Sequence, residues 1–137
     1  LRLFDEVVVA LAENRQKRAM FAPEVREEMI RAVFSGEPRV RVVRWEGVIV
    51  DLLRREGTDI YVRGVRNAVD FEYENADFFA SRDLSDTLIT LYLPAEQKHL
   101  QVSSTLVKNC IAFGKPYRDY VPAAVYDIIQ REGKNHV

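Results

Sequence analysis

The chain has 137 residues, enough for one domain with a real core and too few for two of full size. Its 20 Lys plus Arg face 21 Asp plus Glu, and 47% of residues are hydrophobic. That composition excludes a disordered tail and lacks the net basicity of a nucleic-acid binder. Cys110 is the single cysteine, which excludes an intrachain disulfide and argues against a thiolate metal cage. No apolar run approaches the roughly 20 residues of a membrane-spanning helix. A cytoplasmic protein with no membrane or nucleic-acid partner is the expectation.

Leu1 is not an initiator methionine, and a strand-like run starts at Glu6, so the chain is expected to begin inside its fold. The run Glu6–Leu11 is almost wholly apolar and rich in valine, as in a strand buried on both faces of a parallel sheet. Pro23 suits a first helical position, Val25, Met29, Val33 and Phe34 share a face, and Gly36 is placed to close a helix over 23–35. Arginine alternates with valine from Arg39 to Arg44, predicting a second strand, and Val48–Glu56 reads as a helix stopped by Gly57. A short strand at Asp59–Val62 precedes a helix from Asn67 to about Ser81, and Thr87–Leu93 is a fourth strand ending at Pro94. Ser103–Phe113, closed by Gly114, and Pro122–Arg131 complete the helices, and the tail from Gly133 is expected to fray. Strands alternating with helices predict an α/β class: an open, mostly parallel sheet, helices on both faces, in one domain over 1–137.

In such sheets ligands bind beyond the carboxyl ends of the strands, which directs attention to four loops. The first holds Asn14, Arg15, Gln16, Lys17 and Arg18; the second Trp45, Glu46 and Gly47; the third Arg63, Gly64, Val65 and Arg66; the fourth leads into Ser103, Ser104 and Thr105. Glycine in the third loop allows close backbone approach, and each guanidinium offers a planar fork to phosphate oxygens. The competing explanation is a surface ion-pair network with Asp70, Glu72 or Glu74. Ser103–Thr105 brings hydroxyls and free N–H groups of a helix start to one spot, an anion site; alternatively one serine is a plain N-cap. Lys17 and Arg18 belong either to an ordinary basic loop or to the same phosphate-binding rim. Cys110 falls among Leu106, Val107, Ile111 and Phe113 and reads as packing. His99 and His136 are too isolated for a metal pair or a nucleophile's base. Neither the P-loop nor the G-x-G-x-x-G pattern occurs, so arginine, lysine and a helix start must hold any phosphate.

Arg63-Gly-Val-Arg66 followed by Asp70-Phe-Glu-Tyr-Glu74 resembles the R-G-[LV]-R-x-x-x-D-F-E-Y-E signature of bacterial phosphopantetheine adenylyltransferases. Ser103-Ser-Thr-Leu-Val-Lys108, Lys17-Arg-Ala-Met-Phe21 and Gly47-Val-Ile-Val-Asp51 are similar to further segments of that family, so the resemblance covers most of the chain. It implies a Rossmann-like nucleotidyltransferase, usually a homohexamer, using Mg²⁺ to join ATP to 4′-phosphopantetheine. The products are dephospho-coenzyme A and pyrophosphate, and coenzyme A is a possible product-like ligand. By resemblance Lys17, Ile49 and Arg63 would contact phosphopantetheine, while Gly64, Val65, Arg66, Glu74, Ser103, Ser104 and Thr105 would hold ATP. The family opens on a strand and a G-x-F-D-P-x-T-x-G-H loop that this sequence lacks. The catalytic histidine is therefore expected upstream of Leu1, with nucleotide binding but very weak turnover by these 137 residues. Lys98, His99 and Leu100 also stand where the family often has an aromatic residue, which bears on adenine contacts. The alternatives are a nucleotidyltransferase acting on nicotinamide mononucleotide or glycerol phosphate, against which the D-F-E-Y-E element argues, and a noncatalytic nucleotide-binding module.

Overall fold

The computed structural model describes residues 1–13 and 19–134. The architecture is α/β and Rossmann-like, with every described strand pairing parallel. It divides into two compact units: one formed by the described residues of Leu1–Glu46 and Ser103–Val137, the other by Gly47–Val102. Among the described residues the strands pair as two-stranded parallel sheets, one in each unit. Each joins strands separated in sequence by one crossover helix, the connection a parallel pair requires.

In the first unit β1 (Val7–Ala12) lies beside β2 (Val40–Trp45) in the register Val7 to Val40 through Ala12 to Trp45, with α1 (Pro23–Val33) as the crossover. Pro23 opens α1 as the sequence suggests. Gly36 does not close it: the helix ends earlier, where the Phe34 N–H bonds the Ile30 carbonyl, and Gly36 is not among the glycines with positive φ. The alternation in β2 is real. Val42 is buried, while Arg41 reaches Glu6 at 2.9 Å and Arg44 reaches Glu13 at 2.7 Å and Glu24 at 2.9 Å. These arginines pair with acids of their own unit.

Two more helices of this unit are α4 (Ser104–Ala112) and α5 (Ala123–Lys134), the latter running three residues past the predicted end. Arg131 of α5 grips Glu28 of α1 through both carboxylate oxygens, at 2.8 and 2.7 Å. Leu11, Val42, Tyr117, Ile128 and Ile129 are buried. Cys110 is half-buried, in keeping with a packing role rather than an exposed nucleophile.

The second unit holds α2 (Ile49–Glu56), β3 (Ile60–Val65), α3 (Ala68–Arg82) and β4 (Ile89–Pro94). Gly57 ends α2 with φ 69°, its N–H on Arg54 O and the Thr58 N–H on Leu53 O, a left-handed closure that glycine adopts at no steric cost. Asn67 caps α3, its side chain accepting the Asp70 N–H at 2.9 Å. Val50, Leu52 and Leu88 are the buried apolar residues here, with Leu88 at 1% exposure. Arg82 donates to the Leu88 carbonyl at 2.8 Å and Arg54 to that of Leu84 at 3.0 Å, satisfying the turn before β4.

Candidate phosphate-binding site

β3 runs three residues further than the sequence suggests, because Arg63, Gly64 and Val65 stay in register with Tyr92, Leu93 and Pro94. The ladder even extends past β4, with the Ala95 N–H on the Val65 carbonyl at 2.8 Å. Arg63 is therefore a strand residue, and Arg66 is the first beyond the carboxyl end. Side chains two apart on a strand share a face, so Tyr61 and Arg63 lie together. Gly64 is exposed, and a Cβ there would meet nothing within 4 Å, which leaves open space above the backbone.

Both arginines of the segment are held by α3. Arg66 donates from Nε to Asp70 Oδ2 at 2.7 Å and from Nη2 to Oδ1 at 3.1 Å, and its backbone N–H reaches Oδ2 at 3.2 Å. Its Nη1 donates to the Val102 carbonyl at 3.0 Å. These hydrogen bonds hold the Asp70 carboxyl below its ordinary pKa and raise that of Arg66. Arg63 pairs through Nη2 with Glu74 Oε2 and donates from Nη1 to the Tyr61 hydroxyl. Burial opposes the Arg63 charge, but Glu74 and Tyr61 outweigh it, leaving its pKa raised; burial also raises that of Tyr61. The Glu74 side chain is only 14% exposed. Tyr92 donates to the Glu74 carbonyl at 3.4 Å and packs edge-on to Phe71 with ring centroids 5.1 Å apart, tying β4 to the same stretch of α3.

The ion-pair network raised as the bland alternative thus exists, with Asp70 and Glu74 rather than Glu72 as the acids. It leaves donors over. A guanidinium has five N–H groups, and Arg63 gives one to the Tyr61 hydroxyl while its Nη2 pairs by charge with Glu74. Ile49 opens α2, half-buried, in this unit, and Val65 is half-buried beside exposed Gly64.

In the first unit Ser103 is the N-cap of α4, with φ −148° and ψ 157°, its Oγ accepting the Leu106 N–H at 3.1 Å. The Val107 N–H takes the Ser103 carbonyl at 3.1 Å. The N–H groups of Ser104 and Thr105, first and second in the helix, have no acceptor within it by position, and both residues are exposed. Ser104 and Lys108 line a cavity of about 510 Å³ with Arg26, Met20, Phe21 and Ala12, the last at the carboxyl end of β1. Two cations, a hydroxyl and an apolar wall suit an anion carrying an organic group. Lys17 lies outside the described residues.

The structure therefore brings together Arg63 with Glu74, and Arg66 with Asp70. It places Ile49 and Gly64 to Arg66 in one unit and Ser103 to Thr105 in the other. Sequence reasoning missed Tyr61 and raised the acids without assigning Asp70 to Arg66 and Glu74 to Arg63. The signals were present: Tyr61 is two residues before Arg63 on a strand, and Asp70 is four after Arg66 at a helix start. Among the described residues no group of three or more His, Cys, Asp or Glu could cage a metal ion. No described helix is long and apolar enough to cross a membrane.

Residues 1–110 match the cytidylyltransferase-like family model. The chain is 38% identical over 123 residues to a phosphopantetheine adenylyltransferase of Flavobacterium psychrophilum, covering 90% of this chain and 81% of that protein. It is 37% identical over 122 residues to that of Porphyromonas gingivalis, with 89% and 79% covered. To that of Leptospira biflexa it is 33% identical over 130 residues, with 95% and 81% covered.

Proposed function

This chain belongs to the cytidylyltransferase-like family and, within it, to the phosphopantetheine adenylyltransferases, and from that premise we propose that it transfers the adenylyl group of ATP to 4′-phosphopantetheine. The acceptor's phosphate oxygen attacks the α-phosphorus, the bond from that phosphorus to the bridging oxygen breaks, and pyrophosphate leaves with dephospho-coenzyme A formed. No protein nucleophile is required; positioning and charge stabilisation carry the catalysis. The observation supporting the reading best is that both guanidinium groups of Arg63-Gly-Val-Arg66 are fixed by carboxylates of Asp70-Phe-Glu-Tyr-Glu74, so the two halves of one sequence signature form one structural unit.

Arg63, with Ile49 and Lys17, is assigned to phosphopantetheine. Gly64, Val65, Arg66, Ser103, Ser104 and Thr105 are assigned to ATP. Arg66 retains N–H capacity at Nη beyond Asp70 and Val102, and the α4 start offers the N–H groups of Ser104 and Thr105 to phosphate oxygens. Mg²⁺ belongs to the same proposal as an ion carried mainly by the triphosphate, where its charge would offset that of the leaving pyrophosphate. The chain is read as one nucleotidyltransferase domain acting in the cytoplasm. Self-association, as a hexamer by family resemblance, is part of the proposal, and the exposed apolar Val69, Tyr73 and Phe79 along α3 support association as such.

The test is a panel of acceptors. Incubated with Mg²⁺ and ATP, the chain is offered 4′-phosphopantetheine, nicotinamide mononucleotide or glycerol 3-phosphate, with products read by mass spectrometry and binding by calorimetry. Binding of ATP and 4′-phosphopantetheine, with dephospho-coenzyme A as the adenylylated product, is expected. Preferential adenylylation of either other acceptor, or binding of ATP without 4′-phosphopantetheine, overturns the assignment.

A further inference from the structure

Glu74 stands in the sequence signature as a residue that would touch ATP, yet its Oε2 is ion-paired with Arg63 Nη2 and makes no hydrogen bond among the described residues. The two sides of the pair differ in wetness: the Arg63 side chain is 30% exposed and that of Glu74 14%. If Arg63 swung fully onto a ligand, it would strand a buried carboxylate, which is among the costlier changes a protein can make. Arg63 must therefore meet any anion while still held from behind. The Tyr61 hydroxyl supplies a second fixed point, at Nη1, and its ring lies with its centroid 5.1 Å from the Arg63 Cζ. Two anchors on two nitrogens define the plane of the guanidinium, where one would leave it free to rotate. The Nε–H and one N–H on each Nη stay available. The anchors are themselves braced, since Tyr61 is in the β3 ladder and the backbone at Glu74 receives the Tyr92 hydroxyl.

We propose that Tyr61 and Glu74 are positioning residues, which clamp the Arg63 guanidinium from two sides so that its remaining N–H groups present one fixed face to the phosphomonoester of the acceptor. This rests on the reading of Arg63 as the contact to that phosphate. It also moves Glu74 from the ATP set to the acceptor side, where it acts through Arg63 and touches no substrate.

The clamp is tested by the phosphate preference of the chain, the ratio of its affinities for 4′-phosphopantetheine and for pantetheine, measured by calorimetry. ATP affinity serves as the internal reference. Tyr61→Phe keeps ring, size and charge and removes one anchor. Glu74→Asp keeps the charge and withdraws the other anchor by one methylene. Each is expected to lower the preference about three- to tenfold, the size of one hydrogen bond's loss of order, with pantetheine and ATP affinities unchanged. In an Arg63→Ala background Tyr61→Phe should have no further effect, because its influence passes through Arg63. A merely structural role would move all three ligands together. If Arg63→Ala removes the preference but Tyr61→Phe and Glu74→Asp both leave it intact, the clamp is wrong and the reading of Arg63 stands. If the unaltered chain shows no phosphate preference, or Arg63→Ala does not change it, that reading fails and the clamp with it.

Discussion

Ser103 and Ser104 are neighbours with the same side chain, and the structure assigns them different work that substitution can separate. Ser103 Oγ takes the Leu106 N–H at 3.1 Å, so Ser103→Ala removes a helix N-cap. Such losses cost about 1 kcal/mol, and α4, with nine residues, has few other bonds across which to spread it. For a chain of this size the melting temperature should fall by about 4 °C. Ser103→Gly, which admits water to the same N–H, should cost only a few tenths of a kcal/mol. Ser104 is exposed and caps nothing, so Ser104→Ala should leave stability within about 0.5 kcal/mol. Ser104 lines the cavity with Lys108 and Arg26 at the helix start, and there the loss should appear as roughly tenfold weaker ATP binding, the scale of one hydrogen bond to a charged phosphate. Urea titrations followed by circular dichroism read the first effect and calorimetric ATP titration the second. A Ser103→Ala chain as stable as the original refutes the capping argument, and a Ser104→Ala chain that binds ATP undiminished refutes the assignment of the α4 start to nucleotide.

Two further perturbations probe the second unit. The Arg66 hydrogen bonds depress the Asp70 pKa in the folded chain. Its contribution to stability is therefore complete above the unfolded value of about 3.9 and lost as pH falls through the lower folded value, so Asp70→Asn should flatten the stability profile below about pH 4. Urea midpoints across that acid range decide it, and an unchanged slope would count against the pair. Leu88 is 1% exposed in the turn before β4, and Leu88→Ala should cost about 2–5 kcal/mol from lost burial and the cavity left behind. A loss under about 1 kcal/mol would mean that the turn collapses to fill the space.

The order of elements was legible because periodicity and punctuation agree with the fold. The valines of β1, the Pro23 start of α1, the Gly57 stop and the Asn67 cap are each dictated within a few residues of sequence. What escaped was settled by partners distant in the chain. Arg63 and Gly64 read as loop, since glycine between two arginines is poor strand sequence, yet pairing with Tyr92 and Leu93 keeps them in β3. Gly36 looked like a helix stop, but α1 had already closed at Phe34. The site was visible as residue types and invisible as a set of bonds. Arg63 has Asp70, Glu72 and Glu74 all close by in sequence, and only the rotation of α3 against β3 selects Glu74.

That selection removes an apparent opposition. An arginine held by a glutamate and a serine capping a helix look like structural explanations that displace functional ones, but the two kinds of explanation concern different atoms. Ser103 accepts through Oγ and keeps its own O–H to donate; Arg63 gives one N–H to Tyr61, pairs by charge with Glu74 through Nη2, and keeps N–H groups over. A phosphate asks only for donors, and donors are what both residues have left. The internal bonds also reduce the rotamer freedom that each side chain would lose on binding, which is the larger part of the cost of ordering a long cation. An arginine with no partner in the free protein would carry more net charge to the phosphate but would hold it in no particular orientation, and in-line transfer at phosphorus depends on orientation.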